Sequence, residues 1–299
     1  MRGLKPDSGT RSSLLWENIR LLKKAKDDGT LPKYLMFENV KNLVSKKFID
    51  DFNNLLEVLD ELGFNSYWKV LNAKDYGIPQ NRERVFVISI RKDIDNGTYD
   101  FPKPFDTGIR LKDVLDKEVD EKYYLSDKAI NYITDPKRVN KWTQILSKDS
   151  NCAKSALTAK GNTNWTGNFI KDDTNIIKQA GNYRPDSNKF SNPQTGRIYS
   201  SDYISPTLNT MQGGDRQPKV TDFADNNFRV RKLTPNECWK LMGLAEEDCT
   251  NAKNIGVADS QLYKQAGNGI VTNCVELLAE HLYKAQYNNT YKCTDENFI

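Results

Sequence analysis

Residues 68–90 read WKVLNAKDYGIPQNRERVFVISI, and the two apolar runs in this stretch decide the fold class. Residues 68–71 and 85–90 are rich in aromatic and β-branched side chains, which predicts two strands. A third strand is expected at residues 34–37, a short apolar run of the kind that parallel sheets bury. Amphipathic segments lie between these runs, so we expect an α/β fold, a sheet with helices on its faces.

Four helices are predicted from apolar spacing and from helix-end signals. Gly63 favours the end of one helix. Thr234, Pro235 and Glu237 form a strong helix start, with a capping residue, a first-turn proline and an acidic third position. Only about three strands are expected against the five or six of an average sheet, so the sheet should be incomplete at its N-terminal end. The predicted helices cover residues 12–26, 48–62, 235–242 and 271–285.

The composition excludes several classes of protein. The chain has 299 residues, 37% of them hydrophobic, and no apolar stretch of the length that a membrane span or a secretory signal needs. Its five cysteines are an odd number without a CxxC pair, which argues against a disulfide framework and a zinc site. A single histidine, His281, disfavours Ser-His-Asp and Cys-His catalysis and multi-histidine metal sites. We therefore expect a cytoplasmic protein with no metal site and no membrane segment.

The charge is unevenly distributed along the chain. Residues 93–127 hold 5 Lys/Arg against 10 Asp/Glu, a net charge of −5, whereas residues 137–219 hold 13 against 6, a net charge of +7. The basic stretch also contains Trp142 and Trp165, a composition that suits a polyanion such as DNA. A solvated basic surface explains the charge about equally well. Residues 93–227 are rich in turn-forming residues and are predicted to form a small, irregular domain.

Two polar segments follow or precede the predicted strands. Glu38, directly after the first strand, would lie at the carboxyl end of a parallel sheet, where such folds place their sites. A turn-forming Glu-Asn pair is the simpler interpretation. Gln80, Arg82 and Arg84 alternate, and on a strand they would project to one face as a donor array for phosphate or base oxygens. The alternative is a charged edge strand paired through Glu83.

Two further segments lie near the C-terminus. Residues 232–244 contain the capped helix start, for which a purely structural role is the preferred interpretation. Residues 265–271 read QAGNGIV, and a Gly-Asn-Gly turn that opens a helix would present free N–H groups to a polar ligand. An ordinary junction between a loop and a helix explains this segment equally well.

Taken together, in this order and spacing, these segments resemble the DNA (cytosine-5) methyltransferase family. Residues 37–40 resemble its ENV motif, and residues 72–84 the block that carries its QxRxR motif. Residues 231–243 resemble its R-LTP-E motif, and residues 265–271 its Q-GN-V motif. Residues 205–218 are similar to part of the target-recognition domain that the family keeps between these motifs.

The resemblance implies a fold and a domain organisation. The fold would be a partial Rossmann-like, S-adenosylmethionine-dependent methyltransferase domain that lacks its N-terminal strands, with an inserted target-recognition domain that is small, irregular and β-rich. Residues 1–92 would be the C-terminal half of the catalytic domain, 93–227 the DNA-binding target-recognition domain, 228–286 the returning helices and 287–299 a polar tail.

The resemblance also implies a reaction. A thiolate adds to C6 of a flipped-out cytosine, C5 takes a methyl group from S-adenosylmethionine, and the thiolate is then eliminated. Glu38 would bind N3 and the exocyclic amine and donate a proton, a role that suits a partly desolvated carboxyl. Arg84 and Arg82 would hold the cytosine O2 and a nearby phosphate, contacts that help to offset the cost of base flipping.

The other carried-over residues are binding residues. Asn268, Gly269 and Leu14 would line the S-adenosylmethionine site. Asn39, Gln80 and Arg216 would contact double-stranded DNA.

Two elements of the family are missing from the sequence. The family's nucleophile lies in a Pro-Cys-Gln motif, and none of the five cysteines follows a proline and precedes a glutamine. The Phe-x-Gly-x-Gly cofactor loop is absent too, and residues 3–8 resemble the segment that follows Pro-Cys-Gln. The chain is therefore predicted to be inactive alone. It is either part of a split methyltransferase, whose separate N-terminal subunit carries the nucleophile and the cofactor loop, or the product of a truncated or misassigned reading frame. A cognate restriction endonuclease is a further expected partner.

A catalytically dead DNA-binding or regulatory module is the competing prediction. It rests on the basic, aromatic stretch of residues 137–219 and uses the target-recognition domain alone.

Overall fold

The computed structural model describes residues 14–124, 179–182, 197–209, 217–222 and 229–288, and the chain divides into two compact units. The first unit comprises Met1–Tyr76, Glu83–Phe105 and Thr272–Ile299. The second unit comprises Gly77–Arg82 and Asp106–Val271. The chain thus leaves the first unit and returns to it twice. The predicted domain boundaries, after residues 92 and 227, stay predictions, because these units are divided at other positions.

The sheet of the first unit contains the three predicted strands, β1 (Tyr34–Val40), β2 (Phe64–Asn72) and β3 (Glu83–Arg91). Their order is β1-β3-β2, and β3 is antiparallel to both neighbours. The expectation of a parallel sheet was wrong for these pairs. The connection from β2 to β3, residues 73–82, is shorter than the dozen or so residues that a parallel crossover needs.

The core of the first unit lies between this sheet and two helices, α1 (Leu14–Asp27) and α2 (Ile49–Leu62). Both helices were predicted to within a few residues. Gly63 ends α2 with φ +103°, a left-handed conformation that glycine adopts without steric cost. The buried side chains that meet here come from α1, the short turn at residues 41–44, α2, β2 and β3: Ile19, Leu43, Phe52, Leu55, Leu59, Leu62, Phe64, Val85 and Val87.

The first strand differs from the expectation of a buried strand. None of the seven residues of β1 is fully buried, whereas six consecutive residues of β3 are. Leu35 and Phe37 pack partly against the core, while Met36 and Val40 are more than a third exposed. Within the part of the chain that the structure describes, β1 is an edge strand and β3 is the central strand.

The second unit holds a small sheet and short helices. Its sheet has the order β4-β5-β6-β7, with strands of three or four residues: β4 (Gln179–Asn182), β5 (Arg197–Tyr199), β6 (Lys219–Asp222) and β7 (Arg229–Lys232). Its helices are α3 (Leu111–Val114), α4 (Pro235–Lys240), α5 (Glu246–Asn254) and α6 (Asp259–Asn268).

The last helix, α7 (Thr272–Tyr287), belongs to the first unit, where it was expected to complete the catalytic domain. Asn96 Nδ2 donates to the Ala285 carbonyl at 2.6 Å, and His281 Nδ1 lies 3.3 Å from the Asp100 carbonyl oxygen. The chain after β3 is therefore held against α7 by hydrogen bonds to its buried side.

Several predictions concern residues that the structure does not describe. Residues 3–8, Arg216, most of the basic stretch 137–219 and the tail after residue 288 lie outside the described residues. In the described ranges, no helix has the length and apolar character that crossing a membrane requires. The same ranges contain no group of three or more His, Cys, Asp or Glu side chains placed to hold a metal ion.

Candidate active site

The first unit brings together two of the predicted catalytic side chains, Glu38 and Arg84. Glu38 lies within β1, opposite Phe86 of β3, and Arg84 lies two residues before Phe86 on that strand. Side chains two apart on a strand project to the same face, so the carboxylate and the guanidinium can meet. Arg84 Nε lies 2.9 Å from Glu38 Oε1, and the two side chains are 17% and 19% exposed.

Partial burial shapes the electrostatics of this pair. Burial is the largest influence on Arg84 and lowers the pKa of its guanidinium, while the Glu38 carboxylate acts in the opposite direction. Arg84 Nη1 also donates to the Glu83 main-chain carbonyl at 2.8 Å, which fixes the orientation of the guanidinium. The result is a carboxylate acceptor beside a set of cationic donors, both exposed enough to meet a ligand.

Asn39 is not part of this arrangement. Successive residues of a strand face opposite sides of the sheet, so Asn39 lies on the face opposite to Glu38. Its Oδ1 accepts a hydrogen bond from the Val40 N–H at 2.9 Å. The predicted contact of Asn39 with DNA stays a prediction.

Gln80 and Arg82 do not share a strand with Arg84, and this prediction was wrong. Strand β3 begins at Glu83, so both residues precede it, and both belong to the second unit. Both residues are buried, at 0% and 3% exposure. Their side chains bond main-chain groups of the second unit, and Gln80 Nε2 also lies 3.5 Å from Met242 Sδ. Alternation in the sequence could not reveal this, because the partners lie more than a hundred residues away.

The Gly-Asn-Gly segment does not open a helix. Gly267 and Asn268 form the last turn of α6, and α7 begins only at Thr272, so this segment presents carbonyl groups where N–H groups were expected. Asn268 is exposed, and its amide suits a polar ligand. A Cβ on Gly269 would lie 3.3 Å from the Gln265 carbonyl oxygen, so packing within the protein accounts for this glycine.

The predicted cofactor residues therefore fit S-adenosylmethionine unequally. Asn268 can offer an exposed donor and an acceptor to it. Gly269 instead donates its N–H to the Gln265 carbonyl at 2.9 Å and accepts from Arg82 Nη2 at 2.7 Å, so it shapes the loop. The backbone of α1 begins at Leu14, whose side chain lies outside the described residues.

The sequence predicted the start of α4 but not the buried ion pair that its capping residue Glu237 forms. Glu237 caps the helix as predicted, and its carboxylate also forms a two-point ion pair with Arg231, at 2.7 and 2.8 Å. Arg231 and Glu237 are 2% and 0% exposed in their side chains. The sequence offered one signal for this pair: Arg231 and Glu237 carry opposite charges and lie six residues apart on either side of the predicted cap.

Asp116 is a second group that sequence reasoning missed. Its carboxylate accepts hydrogen bonds from Thr234 Oγ1, Asn236 Nδ2 and Lys240 Nζ at 2.7 to 2.9 Å. Burial opposes ionisation here, but the hydrogen bonds from Lys240 and Thr234 outweigh it and lower the pKa of Asp116. No motif marked this residue, because its partners are distant in sequence.

A family model described as C-5 cytosine-specific DNA methylase matches residues 3–284. The chain belongs to the C-5 cytosine-specific DNA methylase family. The chain is 36% identical over 284 residues to the type II methyltransferase M2.ScrFI of Lactococcus lactis subsp. cremoris, covering 95% of this chain and 62% of that relative. It is 28% identical to the type II methyltransferase M.HhaI of Haemophilus parahaemolyticus, covering 91% of this chain and 68% of that relative. The chain thus spans about three fifths of the length of M2.ScrFI.

Solved structures show the same fold for this methylase. A methyltransferase of Entamoeba histolytica, EhMeth, superposes with a TM-score of 0.55 at 15% identity, covering 91% of this chain and 68% of that one. The Dnmt2 methyltransferase of S. pombe gives the same TM-score and identity, covering 92% and 74%. The methylase therefore has a mixed α/β methyltransferase fold with small sheets. Its family and fold imply S-adenosylmethionine as the methyl donor.

Proposed function

We propose that this chain supplies the base-binding half of a DNA (cytosine-5) methyltransferase. The supporting observation is the Glu38–Arg84 pair, whose charged atoms are 2.9 Å apart in a partly buried setting on the sheet of a C-5 methylase. A carboxyl group and a guanidinium side by side match the polar edge of cytosine. The amine of cytosine donates to the carboxyl group, and its O2 accepts from the guanidinium.

The reaction assigns a proton to Glu38. When a thiolate adds to C6 of a flipped-out cytosine, negative charge develops toward N3, and Glu38, protonated in the complex with the base, donates its proton there. Arg84 holds O2 and compensates the carboxylate once that proton has left. S-adenosylmethionine would supply the methyl group that C5 receives and would leave as S-adenosylhomocysteine. A water molecule then takes the C5 proton, N3 returns its added proton to Glu38, and the thiolate is expelled.

The nucleophile comes from outside these 299 residues in this proposal. No cysteine of the 299 residues lies between a proline and a glutamine. Cys238, Cys249 and Cys274 are buried, and burial raises the pKa of Cys238 well above the ordinary value, which disfavours a reactive thiolate. A further segment or subunit that carries Pro-Cys-Gln would complete the site and the S-adenosylmethionine pocket, in which Asn268 takes part.

Complementation tests this proposal directly. The purified chain is incubated with duplex DNA and radiolabelled S-adenosylmethionine, alone and with an N-terminal fragment of a type II relative that carries Pro-Cys-Gln. We expect methyl transfer only in the mixture, and none when the added cysteine is replaced by alanine. Methylation of C5 by the 299-residue chain alone would refute the requirement for a second polypeptide.

The DNA partner is supported by the family and by the net charge of +7 over residues 137–219. We expect Arg216 and this basic stretch to bind double-stranded DNA, with an affinity that falls steeply with salt. Two of the relatives bear the name of type II methyltransferases, which favours a restriction–modification role and a cognate endonuclease.

The same charge pattern supports a second candidate, a DNA-binding module without catalysis. It predicts salt-sensitive duplex binding by the chain but no methyl transfer in any mixture with an N-terminal fragment. Gel-shift titrations at several salt concentrations measure the binding, and an absence of salt-sensitive binding would count against both candidates.

A further inference from the structure

We infer that Gln80 and Arg82 are positioning residues that clamp the recognition segment, residues 205–209, to the end of α6, and that neither contacts DNA. This inference rests on the proposed function, because it assigns the clamp a role in DNA binding. It replaces the expectation that both side chains form part of a donor array for the nucleic acid. All of the contacts involved lie within the second unit.

The clamp forms hydrogen bonds with both main-chain polar groups of Leu208. Gln80 Oε1 accepts from the Leu208 N–H at 3.1 Å, and Arg82 Nη1 donates to the Leu208 carbonyl at 2.9 Å. Leu208 is 1% exposed. Without Gln80 and Arg82, its N–H and carbonyl groups would be buried without these hydrogen bonds, which is costly. Gln80 and Arg82, two residues apart, thus bond the main-chain groups of Leu208 that a neighbouring strand would bond in a sheet.

Main-chain hydrogen bonds extend the same contact. The Asn81 N–H donates to the Ser205 carbonyl at 2.8 Å, and the Ser205 N–H donates to the Pro79 carbonyl at 2.8 Å. Thr207 Oγ1 donates to the Asn81 carbonyl. Residues 79–82 therefore hold residues 205–208 along their whole length, and Arg216 follows the recognition segment seven residues later in the sequence.

The other donors of the clamp hold the ends of two helices. Arg82 Nη2 donates to the carbonyls of Gly267 and Gly269, at 3.1 and 2.7 Å, where α6 ends. A cation at a helix C-terminus meets the negative end of the helix dipole and satisfies carbonyls that lack helical partners. Gln80 Nε2 donates to the Leu241 carbonyl at 2.6 Å, at the end of α4.

These contacts decide against a direct role at the DNA backbone. Arg82 is 3% exposed and three carbonyl oxygens surround its guanidinium, so reaching a phosphate would require it to break all three hydrogen bonds. A planar guanidinium presents its N–H donors in a fixed fork that reaches two separate segments, whereas the donors of a lysine ammonium all lie on one nitrogen atom. Asn268, proposed at the cofactor, lies between the two glycines that Arg82 holds. The clamp therefore connects the recognition segment with the cofactor end of α6.

Arg82→Lys tests this inference because it retains the positive charge but loses the planar guanidinium with its separate N–H donors. Gln80→Leu removes the second half of the clamp with little change in volume, and Arg20→Gln, at an exposed position on α1, is the matched control for a lost charge. Far-UV circular dichroism and the melting temperature identify any variant that fails to fold. The experiments use the full 299-residue chain and duplex DNA.

Two measurements are combined. Hydrogen exchange should become about tenfold faster in peptides 204–209 and 264–271 of Arg82→Lys, and faster in peptide 204–209 of Gln80→Leu, with α2 unchanged. Duplex affinity should fall in Arg82→Lys and in Arg82→Met, while the slope of log affinity against log salt stays at the wild-type value, because no phosphate contact is lost.

Other results overturn the inference. A slope reduced by about 0.9 in Arg82→Met, with unchanged exchange, identifies a phosphate contact. Faster exchange with unchanged DNA affinity reduces the clamp to a structural role. If the wild-type chain binds no duplex, the DNA premise of the proposed function fails and so does the positioning role, while the exchange data still decide whether the clamp exists.

Discussion

The Glu38–Arg84 pair shows at the residue scale what a strand can do for a reaction. Neighbouring strands β1 and β3 set the two Cα positions, and the side-chain alternation of each strand turns both groups to one face. The carboxylate is neither fully buried nor free in solvent, at 19% side-chain exposure. A proton donor in that environment can contact a nucleobase and is still shielded from bulk water.

Glu38→Gln should separate catalysis from binding in the complemented enzyme. The amide can still hydrogen-bond cytosine but cannot donate a proton to N3, so turnover should fall by about 10²- to 10⁴-fold. DNA affinity should change by less than about threefold. Steady-state methylation and gel-shift titrations measure the two effects.

Glu83→Gln is the control for this variant. Its carboxylate forms an exposed ion pair with Lys41, so turnover should stay within about threefold of wild type. Equal losses of turnover and DNA affinity in Glu38→Gln would mean that Glu38 serves mainly to hold the structure.

His281 gives the first unit a pH dependence. It is 1% exposed, and burial lowers the pKa of its imidazole, against the opposing influence of the Asp100 carbonyl and the Glu280 charge. The unfolded chain therefore takes up the proton more readily than the folded one. The free energy of unfolding should fall as the pH drops from about 6.5 through the lowered folded-state pKa.

Urea unfolding at pH 7.5 and pH 5.5 measures this dependence. Each unit of pKa difference contributes about 1.4 kcal/mol, and His281→Asn should flatten the slope between the two pH values. A slope that is the same in the variant and the wild type would assign the pH dependence to other groups.

At the scale of elements, the join between β7 and α4 depends on one buried ion pair. Arg231, in β7, is held by Glu237, in the first turn of α4, and the same carboxylate accepts from the N–H groups of Thr234 and Asp116 at 2.7 and 2.8 Å. A single carboxylate thus links a strand, a helix start and the loop that carries Asp116.

Glu237→Ala should be strongly destabilising because it leaves the Arg231 charge buried without its partner. We expect a loss of about 3–5 kcal/mol in the free energy of unfolding of the second unit. Lys41→Ala, which breaks the exposed Lys41–Glu83 pair, should cost at most about 1 kcal/mol. Denaturant titrations of both variants, with Arg231→Met/Glu237→Leu as the double replacement, measure the difference. A double replacement less stable than Glu237→Ala would contradict the buried-charge explanation.

The helices and strands of the first unit could be predicted because apolar spacing and end signals are local. The core face of α2 and its stop at Gly63 follow from residues within one helix length. The burial of Gln80 and Arg82 could not be predicted, because it depends on Leu208 and Gly267, which only the fold brings near. The direction of β3 was open to prediction, since the length of the connection from β2 excludes a parallel neighbour.

At the scale of the whole molecule, the proposed function places sequence recognition in residues 137–219 and the chemistry outside them. Exchanging residues 137–219 for those of a type II relative should change the methylated DNA sequence and leave the rate of methyl transfer within about tenfold. Sequencing of the protected sites after methylation by the complemented enzyme measures the change. An unchanged methylation site would refute this location of sequence recognition.

The return of the chain to the first unit also has a consequence for synthesis. Asp106–Val271 is made after the three strands of the first unit and before α7, which contributes the buried residues Leu278, His281 and Ala285. On the ribosome, both segments of the second unit, Gly77–Arg82 and Asp106–Val271, have therefore been made while the first unit still lacks its last helix. A nascent chain arrested at residue 271 should have a protease-sensitive first unit, and the final residues to emerge would complete it.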